Sequence, residues 1–94
     1  VIVGSKDYGG LMSDSFSFTC TSSTCLTGFS FTETGHGWYG TVEVTFASGA
    51  TYRYECVNYN DAVYVMLAYL NGESVGKEFI RRIRNVYAAE KIAA

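Results

Sequence analysis

The hydrophobic period of this chain changes once, and that change limits the folds open to it. Phe16, Phe18 and Cys20 alternate with Ser15, Ser17 and Thr19, and Phe29 and Phe31 alternate with Ser30 and Thr32 in the stretch 26–32. Val42, Val44 and Phe46 alternate with Thr41, Glu43 and Thr45, and Ser48-Gly49-Ala50 then turns the chain into 51–56. Alternation of this kind predicts strands with one apolar face, and two such runs across a short turn predict a hairpin. From Asp61 onward the apolar residues recur at helical spacing. Strands first and helices last is the α+β order. The expected architecture is a small antiparallel sheet of three to four strands with two C-terminal helices packed on one face.

The hairpin places Tyr52, Tyr54 and Cys56 on the face of Val42, Val44 and Phe46, because residues two apart on a strand point the same way. Arg53 then stands on the other face with Glu43 and Glu55, where cross-strand pairing is worth a few tenths of a kcal/mol, roughly. In the first helix Val63, Met66, Leu67 and Leu70 form a stripe, with Asn60 as cap and Asn71-Gly72 as stop. Tyr64, Val65 and Tyr69 lie off that stripe, so the helix is apolar nearly all round. A helix of that kind is buried on more than one side, and a second subunit can supply the second side. Ser74 caps the last helix, which is expected to run to about residue 91. Its inner face is Gly76, Phe79, Ile80, Ile83, Val86 and Tyr87.

At 94 residues the chain is one domain, and its 8 tyrosines and 6 phenylalanines are enough either to fill a core or to dominate an interface. Residues 1–14, with Val1-Ile2-Val3 and Gly9-Gly10, read as an N-terminal arm preceding a single domain over 15–94. Val1, Ile2 and Val3 can add a strand to the edge of another subunit's sheet, or fray. Proline is absent, which excludes collagen-like and proline-rich classes. Formal charge is -2, yet residues 1–75 carry a net of -5 and residues 76–94 a net of +3. A general electrostatic grip on nucleic acid needs a broadly basic surface, so only the tail can make a local contact. Three cysteines make an odd count, which favours a reducing compartment or an intermolecular bond. Cys20 and Cys25 can bridge across a four-residue loop. No run of 18 apolar residues is present, so no helix is expected to span a membrane. The chain opens on valine, which reads as trimming and leaves a removed leader open; the setting is read as cytoplasm or virion, or extracellular if a leader was lost.

Candidate sites are few. Lys77, Arg81, Arg84 and Lys91 gather on the outside of the last helix as a cationic patch, suited to phosphate, to a partner's acids, or to water alone. His36, Trp38 and Tyr39 sit among glycines in the 34–40 loop and form a candidate recognition tip. A single histidine and two close cysteines do not make a metal site, and no cofactor is expected. The glycines do not form a phosphate loop. Tyr52 and Tyr54 can stack unpaired bases, though sharing a face with three core-type residues favours packing under the helices.

From Val42 to Tyr87 the chain resembles the KTSC domain, a short module found alone and at the C-terminus of some lysyl-tRNA synthetases. The resemblance lies in Val44, Phe46 and Gly49, then Tyr52 and Tyr54, then Val57, Val63-Tyr64, Ser74 and Gly76, and finally Phe79, Ile83-Arg84 and Tyr87. Asn58 and Ile80 depart from the proline and asparagine usual there. The resemblance implies a role in RNA binding. Two readings follow: a non-enzymatic interaction or assembly subunit, as in a phage particle or filament, partnered by itself or another protein; or an RNA or single-stranded nucleic acid binding domain. Net acidity and the all-round apolar helix favour the first.

Overall fold

Each of the four alternating runs is a strand, and two further strands extend the sheet at either end. The structure is a computed structural model that describes residues 2–8, 11–20, 26–34 and 38–93, with side chains from Ser15 onward. Strands β1 (Ile2–Tyr8), β2 (Leu11–Thr19), β3 (Leu26–Glu33), β4 (Tyr39–Phe46) and β5 (Thr51–Asn58) precede helices α1 (Tyr59–Leu70) and α2 (Val75–Phe79). A π turn over Ile80–Arg84 continues α2, and β6 (Ala89–Ala93) closes the chain. All neighbours are antiparallel in the order β1-β2-β3-β4-β5-β6, with α1 and α2 packed together. The α+β reading therefore holds, with six strands where three to four were expected.

One face of the sheet is aromatic because the register pairs ring with ring. Phe16 lies opposite Phe31 and Phe18 opposite Phe29, with ring centroids 5.4 and 5.2 Å apart. Cross-strand aromatic pairs of this kind add about 0.5–1.5 kcal/mol each beyond their buried area. Tyr69 of α1 stacks on Phe18 at 4.4 Å, and Tyr59 meets the edge of Phe31 at 5.7 Å. On the other side of the core, Tyr54 and Phe46 both meet Phe79 edge-on, at 5.7 and 5.8 Å. Val42, Val44, Val57 and Ile83 are fully buried between these two groups.

Several expectations are corrected. The stretch expected as an arm is in the sheet: Ile2 and Val3 pair with Ser17 and Phe16, whereas Val1 lies outside the described residues. Backbone groups at the edge of β2 need partners whatever the side chains are, and β1 supplies them. The last helix stops at Arg84 rather than near residue 91, and β6 pairs with β5, Lys91 opposite Tyr52 and Ala89 opposite Tyr54. Val86, assigned to an inner face, is 62% exposed as a result. The inner stripe of α1 is Ala62, Val65 and Ala68. Small residues let the helix approach the sheet, and that turns Leu67 and Leu70 outward. Its cap is Asn58, whose side-chain oxygen accepts from the Asn60 N–H at 2.9 Å. Asn71 and Gly72 (φ 71°) do end it.

Cys56 is exposed, not buried, because β5 holds one extra residue against β4. Val42 opposes Tyr54, but Gly40 opposes Val57, so the register shifts across Glu55 and Cys56. A bulge changes the phase of every residue after it. Cys56 turns out with φ 58°, and Val57 takes the buried position. Opposite the bulge, Gly40 has no room for a side chain: a Cβ there would fall 2.6 Å from the Phe31 ring and against the Thr32 carbonyl. The left-handed region costs an L-residue with a Cβ roughly 1–2 kcal/mol. Cys56→Gly is therefore expected to raise the thermal midpoint by about 4–8 °C per kcal/mol recovered, and Gly40→Ala to lower it. Calorimetry of the two variants checks this; a midpoint for Cys56→Gly below the parent would show that the bulge is not strained.

Candidate functional site

The return of the chain through β6 creates a cleft that a longer helix would have prevented. Phe46 and the 47–50 turn form one wall, and Ile80 and Arg84 of the π turn form the other. Tyr52, Tyr54, Ala89 and Lys91 lie between them, and the open volume is about 630 Å³. Tyr52 and Lys91 are direct cross-strand partners and so share a face. Tyr52 is half-buried against Phe46, with ring centroids 5.5 Å apart at 81°. Tyr54 is buried, and among the described residues its hydroxyl makes no hydrogen bond. Burial pushes the Tyr54 phenol up from its ordinary value; the Arg84 charge opposes that, and the neighbouring Tyr52 adds to it.

The four cations expected as one patch are divided. Arg81 is ion-paired with Glu78, and Arg82 reaches both Glu78 (3.4 Å) and Asp61 (3.8 Å) while lying 3.8 Å over the Tyr64 ring. Arg81 faces a different hollow, shared with Asp61 and Val86. Lys77 is exposed and lines neither. Arg84 and Lys91 alone of the four reach the cleft, and among the described residues neither forms an ion pair. Among the described residues the cleft has no acidic lining residue.

Of the loop residues, Trp38 and Tyr39 are 63% and 49% exposed, and the Trp38 carbonyl accepts from the Tyr59 N–H at 2.6 Å. His36 lies outside the described residues, as does Cys25 and with it the expected bridge to the buried Cys20. Among the described residues no three His, Cys, Asp or Glu side chains gather as metal ligands, and no helix is long and apolar enough to cross a membrane.

A polar chain of contacts, invisible in the sequence, joins the helices to the sheet. The Tyr87 hydroxyl donates to Asp61 Oδ2 at 2.6 Å and accepts from the Asn58 N–H at 3.1 Å. Asp61 then leads through Arg82 to Glu78. Tyr87 has a raised phenol pKa, first through burial and then through its bond to Asp61. The pairing depends on the chain turning at Asn85–Tyr87, which helical periodicity hides. No family model matches the chain, and none of the curated proteins or solved structures compared with it does. The KTSC resemblance rests on the motif residues between Val44 and Tyr87 alone.

Both raised phenols tie stability to alkaline pH. An unfolded tyrosine loses its proton near pH 10, roughly, whereas the folded Tyr87 and Tyr54 keep theirs to higher pH. Above that point the folded state binds more protons than the unfolded one, so stability falls as pH rises toward the folded values. Below it the contribution is complete. Tyr87→Phe is expected to cost about 1–2 kcal/mol at neutral pH and to make the alkaline fall shallower. Urea unfolding from pH 8 upward measures both, and an unchanged slope would mean that Tyr87 is not a source of the dependence.

Proposed function

We propose that the protein is a non-catalytic interaction subunit that self-associates through the outer flank of α1. The observation that carries this reading is the exposure of Tyr64, Leu67 and Leu70, at 46%, 40% and 55%, along one side of a helix otherwise packed on the sheet. The three follow at three-residue spacing and so run together on the helix surface. A single exposed leucine is ordinary; a row of three large apolar residues favours a covered face. Fully burying an exposed side chain of this size contributes about 1.5–3 kcal/mol, and these, already about half buried, offer about half of that each, against several kcal/mol lost in association. A helix flank alone thus supports weak pairing, and a stable interface, which needs about 1,200 Å² or more, draws in further surface. Trp38 and Tyr39 offer some.

The arm has no part in this reading, since Ile2 and Val3 are occupied in β1. The nucleic-acid alternative is weakened because the expected four-cation patch is divided: Arg81 pairs with Glu78, Lys77 stands apart, and only Arg84 and Lys91 share a surface. Light scattering after size exclusion at several loadings is expected to show concentration-dependent dimers or larger species. Leu67→Glu with Leu70→Glu is expected to return the protein to monomer without changing its circular dichroism. A monomer at every loading of the parent protein would overturn the proposal.

A further inference from the structure

The cleft beside β6 is the strongest feature that self-association leaves unused, and no residue of α1 lines it. Its charge runs against the rest of the chain. The protein carries a formal -2, while the cleft presents Arg84 and Lys91 and, among the described residues, no acidic lining residue. Arg53, Arg81 and Arg82 all have carboxylate partners; Arg84 and Lys91 have none among the described residues. They come from separate elements, the π turn and the edge strand, and meet only because β6 pairs with β5. Between them lies a half-buried aromatic surface, Tyr52 against Phe46, beside the partly exposed Ile80. Ala89, opposite Tyr54, fills little of the space in front of that phenol.

We infer that this cleft binds a phosphomonoester carried on a flat aromatic body, a nucleoside monophosphate in chemical class, with the phosphate held by Arg84 and Lys91 and the ring laid against Tyr52 and Phe46. Charge selects the phosphate. A phosphomonoester carries roughly -1.5 to -2 near neutral pH with three strong acceptor oxygens, which matches two cations better than a single carboxylate does. Guanidinium and ammonium groups supply charge-assisted donors, and the Tyr54 hydroxyl, which makes no hydrogen bond among the described residues, is a further donor in the same cleft. The aromatic wall gives the ring a stacking or edge contact. Phosphate and ring thus bind together more tightly than either part does. This site is independent of the α1 flank.

Such a ligand exists free or as the 5′ end of a nucleic acid strand, and the experiment separates these. Amide chemical shifts of labelled protein are followed during titration with AMP, adenosine, inorganic phosphate, and a short RNA with either a 5′-phosphate or a 5′-hydroxyl. AMP is expected to give saturable shifts at Tyr52, Ile80 and Lys91 with a dissociation constant of about 1 mM or tighter, and adenosine and phosphate to bind at least about tenfold more weakly. Arg84→Gln with Lys91→Gln is expected to weaken AMP at least about tenfold while leaving the unfolding midpoint and the oligomeric state unchanged. Preference for the 5′-phosphorylated RNA supports a strand end as the source; no binding of either RNA supports the free mononucleotide. Equal binding of the two RNAs would overturn the requirement for a monoester. An absence of saturable AMP shifts up to about 10 mM, or an undiminished response in the double variant, would overturn the site itself.

Discussion

The left-handed backbone at Cys56 decides how sheet and helices meet. Without the extra residue in β5, Cys56 would point inward with Tyr54, and Val57 would face water. With it, Val57 enters the core and Asn58 arrives where its side chain caps α1 and its N–H meets the Tyr87 hydroxyl. The Tyr59 N–H bonds to the Trp38 carbonyl at the same corner. Orphan N–H groups at a helix start need acceptors, and here the sheet corner and the chain end supply them together. Gly40 is the partner of this arrangement: opposite the bulge, the Phe31 ring and the Thr32 carbonyl of β3 lie so close to it that no side chain fits.

The sheet has two faces of different chemistry. Beneath the helices the pairs are aromatic or branched, and their contacts exclude water. On the open face Ser17, Ser30, Thr45 and Thr51 line a shallow trough, where the Thr45 and Thr51 hydroxyls are 3.2 Å apart and Arg53 bonds Glu43 at 3.2 Å. That ion pair was expected from the alternation. Its side chains are about two-fifths exposed, so it contributes only a few tenths of a kcal/mol, roughly, and fixes register more than stability. The residues that bind the helices down are instead on the covered side, where Phe79 and Ile83 are fully buried.

How much of this could be read in advance depends on whether side chains or backbone made the decision. The strands from Phe16 to Tyr54 announce themselves because one face is buried and the other wet, which writes a two-residue period into the sequence. The direction of α1 did not follow from its largest residues. Ala62 and Ala68 carry a weak apolar signal, yet they face the sheet because a close helix needs small residues there. The segment Ala89–Ala93 reads as helix, since alanine, glutamate and lysine all favour it. Its conversion to a strand comes from open backbone groups on β5, a demand that no single residue records. Lys91 left the expected cationic patch for that reason: the patch assumed a helix reaching Lys91, and the chain had already turned back, while Arg81 was drawn off separately by Glu78.

That turn also explains why the cleft sits where it does. Helix propensity in the final residues is opposed by the pairing of β6, and the π turn at Ile80–Arg84, with the Asn85 N–H bonded to the Ile80 carbonyl at 3.1 Å, brings the helical segment to its end. π turns recur at functional sites because they spend regular hydrogen bonding to re-aim side chains. Here the turn leaves Ile83 in the core while Ile80 and Arg84 line the wall across from Phe46. If the last helix had continued, Lys91 would lie roughly two turns beyond Arg84 rather than beside Tyr52. That two cations with no ion-pair partner among the described residues line one cleft with Tyr52 and Phe46 is therefore a product of backbone pairing, and any change that frees β6 from β5 should dissolve the cleft before it disturbs the core.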